Sequence, residues 1–301
     1  MPTKRRWGRL KLDDWKDFKR VFLTLASPGS LWMLIFFIIP MAFLFVLSFS
    51  SKAIVNGETS TTAYDYFNTF GNYVASAGTS YLVLLWRAIW TSAIATFVCL
   101  VLAYPLALAV CFAPVRWRPI MLLLLILPFW INLLIRTYAM YSIFRSTGIV
   151  NQAIGLIGLG PYEMLNNTTA VIMGLVYVYL PFMVLPLYST IEKLDRSFLE
   201  ASLDLGASQA RTFWSVTWPL TLPGVITGII LVYIPCLGTF LTSDILGGPN
   251  NWTIGNAIQN QFLEANNWPF GAALSFILMY ATFIALVIRA LVSRRSKGVD
   301  A

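Results

Sequence analysis

Residues 194–224 read LDRSFLEASLDLGASQARTFWSVTWPLTLPG, and the rest of the chain is arranged around them. Glu192, Lys193, Asp195, Arg196, Glu200, Asp204 and Arg211 crowd this short interval, whereas the runs on either side are uncharged and mostly apolar. Ser197 followed by Glu200 has the spacing of a capping box. The hydroxyl would accept from the third helical N–H, and the carboxylate would return to the cap N–H. Ile191, Leu194, Phe198, Ala201 and Leu205 recur every three or four residues and give the helix one apolar face. Gly206 ends it as a left-handed C-terminal glycine does. Ser208 starts a second short helix, and Pro219 and Pro223 punctuate its exit. A polar helix held between two membrane-length runs reads as a docking surface presented to water; the plainer alternative is an ordinary amphipathic helix-turn-helix between two spans.

The surroundings are those of a membrane protein. Of 301 residues, 58% are hydrophobic and 11% charged, against about 25% charged in a soluble domain, and the mean hydropathy is +0.71. The net charge of +8 and pI near 9.5 invite a nucleic-acid reading, but the basic residues flank apolar runs instead of gathering on a folded face. Cys99, Cys111 and Cys236 lie inside apolar runs and read as small buried hydrophobes. With no histidine and no cysteine pairing pattern, neither a zinc site nor a histidine relay is available, so no metal is expected. No segment fits the phosphate-cradling pattern G-x-x-x-x-G-K-[ST]. The chain therefore carries no catalytic residues and no cofactor of its own, and any ATP and Mg would sit on a partner.

A membrane helix needs about 20 apolar residues, and six segments qualify: Leu31–Phe49, Ala88–Ala113, Pro119–Ile135 with extension to about Phe144, Thr169–Ile191, Leu220–Ser243 and Phe270–Ile288. Prolines 40, 105, 128, 181, 186 and 235 fall inside them and are tolerated as kinks within a bundle. All basic residues except Lys52, Arg87, Arg136 and Arg145 fall on one side of this arrangement, which the positive-inside rule makes the cytoplasm. The expected organisation is a cytoplasmic basic N-terminal arm over residues 1–30, too polar and too long for a secretory leader. A six-helix transmembrane domain follows over 31–292, with the polar loop at about 191–223, then a cytoplasmic tail over 293–301. Both termini and the Glu200 island would face the cytoplasm. The arm is suited to anionic lipid. Among the outer segments, Thr147–Tyr162 suits a short surface helix, and Asp244–Pro269 holds Asp244 and Glu264 with no lysine or arginine.

Glu200-Ala201-Ser202, Gly206, Val216 and Pro219 resemble the EAA loop of permease subunits of binding-protein-dependent ABC importers. Two mild departures occur, Ser202 for alanine and Trp218 for leucine. Over roughly residues 30–290 the chain resembles one subgroup, the permeases of spermidine/putrescine importers. The carrying segments are Leu127–Trp130, Leu134–Tyr138, Gly174–Tyr177, Leu180–Tyr188, Ile191–Asp195, Asp244–Gly248 and Asn267–Ala273. The resemblance implies an all-α integral membrane protein with the type I ABC importer permease fold and a cytoplasmic coupling helix. It implies residence in a bacterial inner membrane, pairing with a second homologous permease as a heterodimer, two ATPase subunits and an extracytoplasmic substrate-binding protein. On this reading Glu200, Ala201, Ser202, Asp204, Leu205 and Gly206 couple to the ATPase.

Counting depth at 1.5 Å per residue places Tyr177, Tyr179 and Tyr233 near mid-membrane and Asp244 at the outer mouth. Aromatic faces attract ammonium groups and an acid at the entrance concentrates them. Trp130, Tyr177, Tyr179, Tyr233, Asp244 and Glu264 are therefore the candidate substrate pathway. Each tyrosine has a second reading as helix packing, Asp244 as a solvated helix-end acid, and Trp130 as an interfacial anchor. Arg136 is read as snorkelling to the outer headgroups, or else as pairing with an acid on a partner. No carboxylate lies in any expected span, so a polyamine would rely on aromatics, carbonyls at proline kinks or acids of the partner permease. The alternatives are the same kind of permease for an amino acid or a metal, and an ATP-independent carrier. An intramembrane enzyme would need clustered acid, base or metal ligands at depth.

Overall fold

A computed structural model describes residues 25–55, 58–65 and 70–297. Most of the expected N-terminal arm and the end of the tail lie outside the described residues. In chain order the elements are α1 (Leu25–Ser48), β1 (Ser51–Val55), β2 (Glu58–Asp65), α2 (Gly71–Ser76), α3 (Thr79–Phe112), α4 (Arg118–Trp130), α5 (Leu133–Phe144), α6 (Ile149–Gly155), α7 (Thr168–Glu192), α8 (Ser197–Asp204), α9 (Gln209–Gly238), α10 (Ile254–Leu263) and α11 (Trp268–Lys297). A π-helical turn, Ser243–Gly247, lies between α9 and α10.

Helices α3, α7 and α9 pack together as the centre of the bundle. On α3, Ala95, Cys99, Ala103 and Ala107 recur every fourth residue, and each is fully buried. A stripe of small residues lets helix backbones approach closely, which is the main source of helix attraction where lipid offers no hydrophobic drive. Cys99 Sγ lies 3.7 Å from the Val176 carbonyl oxygen and Cys111 Sγ 3.8 Å from that of Tyr188. The three cysteines are free and buried, so they serve as small core residues, as their context implied. Gly224 and Gly228 play the same part on α9, facing Pro186, Thr190 and Met183 of α7. Helix α1 packs along α11, with Phe45 edge-on to Phe276 at 5.3 Å. The outer face of α1, including Phe36, Phe37 and Ile38, is uncovered; an apolar surface of this extent needs lipid or another subunit.

Several expectations change. The chain is not purely helical: β1 and β2 form an antiparallel pair (Ser51 opposite Asp65, Val55 opposite Glu58) with an irregularity between Lys52 and Ile54. These residues lie outside the spans and are rich in β-branched types, which suit a pleated strand, and Lys52 Nζ donates to the Ala265 carbonyl at 3.1 Å. Helix α3 starts at Thr79, earlier than the expected Ala88, because hydropathy marks apolar depth and not helix length. The third segment is broken: Arg118–Trp130 and Leu133–Gly155 meet at 95°. Pro128 sits in the 3-10 turn Leu127–Trp130, and Asn132 Oδ1 accepts from the Leu134 N–H at 2.8 Å, capping a fresh helix. The second short helix after Gly206 does not stop at its prolines. It continues through a π-helical turn, Phe213–Thr217, so that α9 is one rod, with Pro219 just past that turn and Pro223 and Pro235 inside the helix.

Among the described residues four helices, α1, α3, α7 and α9, are each long and apolar enough to cross a membrane, and α4–α6 make a fifth if the bent pair is one span. The sixth expected segment is helical within α11, whose apolar part, Trp268–Ile284, is shorter. The expected surface helix within Thr147–Tyr162 is α6.

Candidate functional site

The polar island becomes α8 and the turn that follows. The sequence expectation of a Ser197–Glu200 capping box does not hold. Asp195 is the cap, its Oδ1 accepting from the Ser197 N–H at 3.0 Å. That bond holds the Asp195 carboxyl below the usual carboxylate range, so the cap is complete above that range and is lost as pH falls through the depressed value. A carboxylate two residues ahead of Ser197 serves that N–H, with the favourable charge for a helix start. Gly206 adopts φ +85°, as its position after the helix implied. Space around it is open, so backbone conformation alone calls for glycine there. Ser208 Oγ then accepts from the Arg211 N–H at 3.3 Å and starts the next helix.

The anchorage of α8 is one-sided. Arg196 Nη2 reaches the Cys111 carbonyl at 3.5 Å and its guanidinium lies over Phe112 at 5.6 Å; Arg118 Nε donates to the Ala113 carbonyl at 3.0 Å. Both cations sit at the C-terminal end of α3, where carbonyls and the helix dipole favour them. Arg118 also lies 3.9 Å from Glu192, whose carboxylate accepts from Tyr188 Oη at 2.7 Å. Near the C-terminal end of α8, Ser202 Oγ and Thr212 Oγ1 are 3.0 Å apart. Beyond Thr212, Phe213 packs edge-on to Tyr104 at 5.4 Å, and Tyr104 Oη meets Thr221 Oγ1 at 2.8 Å. A continuous set of contacts therefore links α8 to α3 and α9. Between α8 and the ends of those helices lies a cavity of about 540 Å³, with Arg118, Glu192, Arg196, Glu200 and Phe213 in its wall.

Its outer face is bare. Glu200, Ala201, Asp204 and Gly206 are exposed, and Ser202 is half-buried. Leu205 is 89% exposed and Phe198 55%. The apolar stripe read from the sequence thus splits: Ile191 is buried in the bundle core while Phe198 and Leu205 face outward.

The pathway candidates do not form one cluster. Tyr177 and Tyr179 lie on α7; Tyr179 lies 6.1 Å from Phe182, which meets Phe129 edge-on at 5.2 Å, while Tyr177 faces Arg136. Tyr233 packs instead in the second core cluster, with Tyr81, Leu84 and Leu85. Trp130, at the break in the third span, is 81% exposed. Asp244 is exposed in the π-helical turn beyond α9. Glu264 follows the end of α10 and accepts from Asn260 Nδ2.

One residue stands differently from its sequence reading, and another went unread. Arg136 is only 5% exposed, so it does not snorkel; its guanidinium lies 5.8 Å from the Phe129 ring centre and 5.9 Å from that of Tyr177. The bend after Trp130 folds α5 back and carries the side chain inward. Asn256, fully buried, holds the Asp244 turn from below: its Oδ1 accepts from Ser243 Oγ at 2.5 Å and the Thr253 N–H at 3.0 Å, and its Nδ2 donates to the Phe240 carbonyl at 3.2 Å. Leaving several buried partners unmet costs about 1–3 kcal/mol each. Asn256→Leu is therefore expected to lower stability by about 2–4 kcal/mol, seen as a lower thermal midpoint of the purified protein; an unchanged midpoint would show that water replaces the amide.

The geometry so far is an exposed helix anchored to a bundle of apolar helices; comparison with known proteins gives the family of the chain. The family of binding-protein-dependent transport system inner membrane components matches residues 18–298. The spermidine/putrescine transport system permease protein PotB of Haemophilus influenzae is 40% identical over 259 residues, 85% of this chain and 88% of that protein. PotB of Escherichia coli is 44% identical over 222 residues, 73% of this chain and 81% of that one. A chain in the crystal structure of a bacterial alginate ABC transporter, in complex with a periplasmic protein bound to an alginate pentasaccharide, superposes with a TM-score of 0.71. Its identity is 19%, covering 93% of this chain and 97% of that chain. This chain belongs to the family of inner membrane components of binding-protein-dependent transport systems, a multi-pass permease with the type I importer fold.

Proposed function

We propose that this chain is one permease subunit of a polyamine ABC importer, lining half of the translocation pathway and transmitting the work of a separate ATPase. The observation that carries the coupling role is α8: a water-facing helix with bare Phe198 and Leu205, braced against α3 and α9, on a chain that is otherwise apolar. Glu200, Ala201, Ser202, Asp204, Leu205 and Gly206 are the coupling surface. Closure of the ATPase pair on ATP pushes α8, and the contacts through Thr212, Phe213 and Tyr104 pass that displacement to the spans. The positive-inside distribution supports a cytoplasmic position for α8 and both termini. The complete assembly has a second permease, two ATPases that hold ATP and Mg, and an extracytoplasmic binding protein, all within lipid and with no nucleic acid.

The cargo assignment follows the two PotB relatives, and the chemistry of the outer side supports it. Asp244 is free to draw amines to the mouth, and Trp130, Tyr177, Tyr179 and Tyr233 offer ring faces along the way. Glu264 adds a second outer acid. Arg136, a buried cation beside Tyr177, pulls the other way and favours an anionic solute. Uptake decides between them. Vesicles holding the assembled transporter, its binding protein and internal ATP are expected to accumulate radiolabelled spermidine or putrescine, with no competition from molybdate or amino acids. Competition by an anion and no polyamine uptake would assign the other cargo.

A further inference from the structure

Arg136 carries a charge that the described chain leaves unanswered. Its Nε and Nη1 are buried without a hydrogen-bond partner, and no ion pair reaches it among the described residues. Burying a cation in this way is costly unless something compensates. What it has is ring faces. Phe129, ahead of the break in the third span, and Tyr177, on α7, both present their faces to the guanidinium at just under 6 Å. Phe182 backs Phe129, and Tyr179 backs Phe182. Two faces around one organic cation is the arrangement by which aromatic cages hold alkylammonium ligands.

We propose that the Arg136 guanidinium is a tethered stand-in for the cargo's ammonium group: it fills the Phe129–Tyr177 site when no cargo is present, and a polyamine must displace it to pass. This rests on the polyamine reading above. It removes the conflict between a buried arginine and a cationic cargo, because cargo and arginine occupy the site in turn. A tethered competitor is present at high effective concentration, so cargo is bound weakly and released readily, as flux requires. The apparent affinity falls by the fraction of time the site is already filled. The 95° break before α5 gives the arginine's helix a joint about which to withdraw.

The test is direct binding of radiolabelled spermidine to the purified whole transporter without its binding protein. Arg136→Met and Arg136→Gln should each bind spermidine about tenfold more tightly than the native protein, the gain expected when a cation–π competitor is removed. Arg136→Lys should stay within about twofold of native. Adding Tyr177→Leu to Arg136→Met should erase the gain, which assigns it to this cage and to no other polyamine site. Unchanged or weaker binding in both charge-removing variants, with the complex intact, overturns the proposal. So does dissociation of the two permeases in both, which would make Arg136 an inter-subunit ion-pair residue. A native transporter that imports no spermidine with its binding protein present would overturn the polyamine reading and the stand-in together. Normal spermidine import with no gain in Arg136→Met would overturn the stand-in alone.

Discussion

Replacing Gly206 by valine is expected to cut ATP-driven uptake by the reconstituted transporter about a hundredfold while ATP hydrolysis continues. Gly206 sits at φ +85°, where a β-branched residue is strained by roughly 1–3 kcal/mol. Nothing crowds the position, so the cost is conformational, and the chain relieves it by re-aiming α8 against the following helix. A displacement of that element costs little in folding, because its outer face is bare and its bracing contacts are few. It costs much in coupling, because a rate that depends on a positioned lever falls tenfold for each 1.4 kcal/mol of misfit. Gly206→Asn is the control: asparagine tolerates the left-handed region and should retain most uptake. Full uptake by the valine variant would show that the turn is not part of the coupling path.

A large loss of stability is also expected from Gly224→Val. A side chain there would meet the backbone of α7: the Pro186 carbonyl oxygen lies 2.9 Å from a Cβ placed on Gly224, and Thr190 Cβ 2.8 Å. Thr190 cannot swing aside cheaply, since its Oγ1 donates to that same carbonyl at 2.8 Å. Overpacking a close helix crossing costs about 1–3 kcal/mol, and here it also separates the backbones whose proximity holds the pair together. The thermal midpoint in detergent should fall by about 2–4 °C for each kcal/mol. Gly155→Ala, at a position with open space, should leave it unchanged. A Gly224→Val protein as stable as native would mean that α7 and α9 are further apart than described.

How much of this was legible in the sequence depended on whether the signal was local. The Gly206 turn, the Ser208 helix start and the burial of Cys99, Cys111 and Cys236 follow from short-range chemistry or from a residue's apolar setting, and all were readable. The hairpin was readable too but unread: Asn56-Gly57 stands between β-branched runs, a strong local hairpin pattern, in a segment outside the expected spans. The cap at Asp195 was missed because Ser197 offered an equally good pattern two residues later. Pro128 and Asn132 together spelled a stop and a restart, yet a continuous apolar run suggested one straight span. That misreading propagated. A straight third span carries Arg136 towards the outer headgroups, whereas the broken one turns it in against Phe129 and Tyr177. The dispersal of Tyr233 from Tyr177 was unreadable, because depth along a helix is a count of residues while the face it presents is set by neighbours far away in the chain.

The account stands on α8 being gripped from the cytoplasm by a nucleotide-driven partner. Leu205→Cys places a thiol at the barest point of that helix, against native cysteines that are all buried. A short heterobifunctional reagent, thiol-reactive at one end and amine-reactive at the other, added to the assembled transporter in inside-out vesicles should join Leu205→Cys to a lysine of the ATPase, and ATP should change the yield. Labelling of Leu205→Cys from the exterior, or no ATPase adduct in an assembly that still transports, would contradict it.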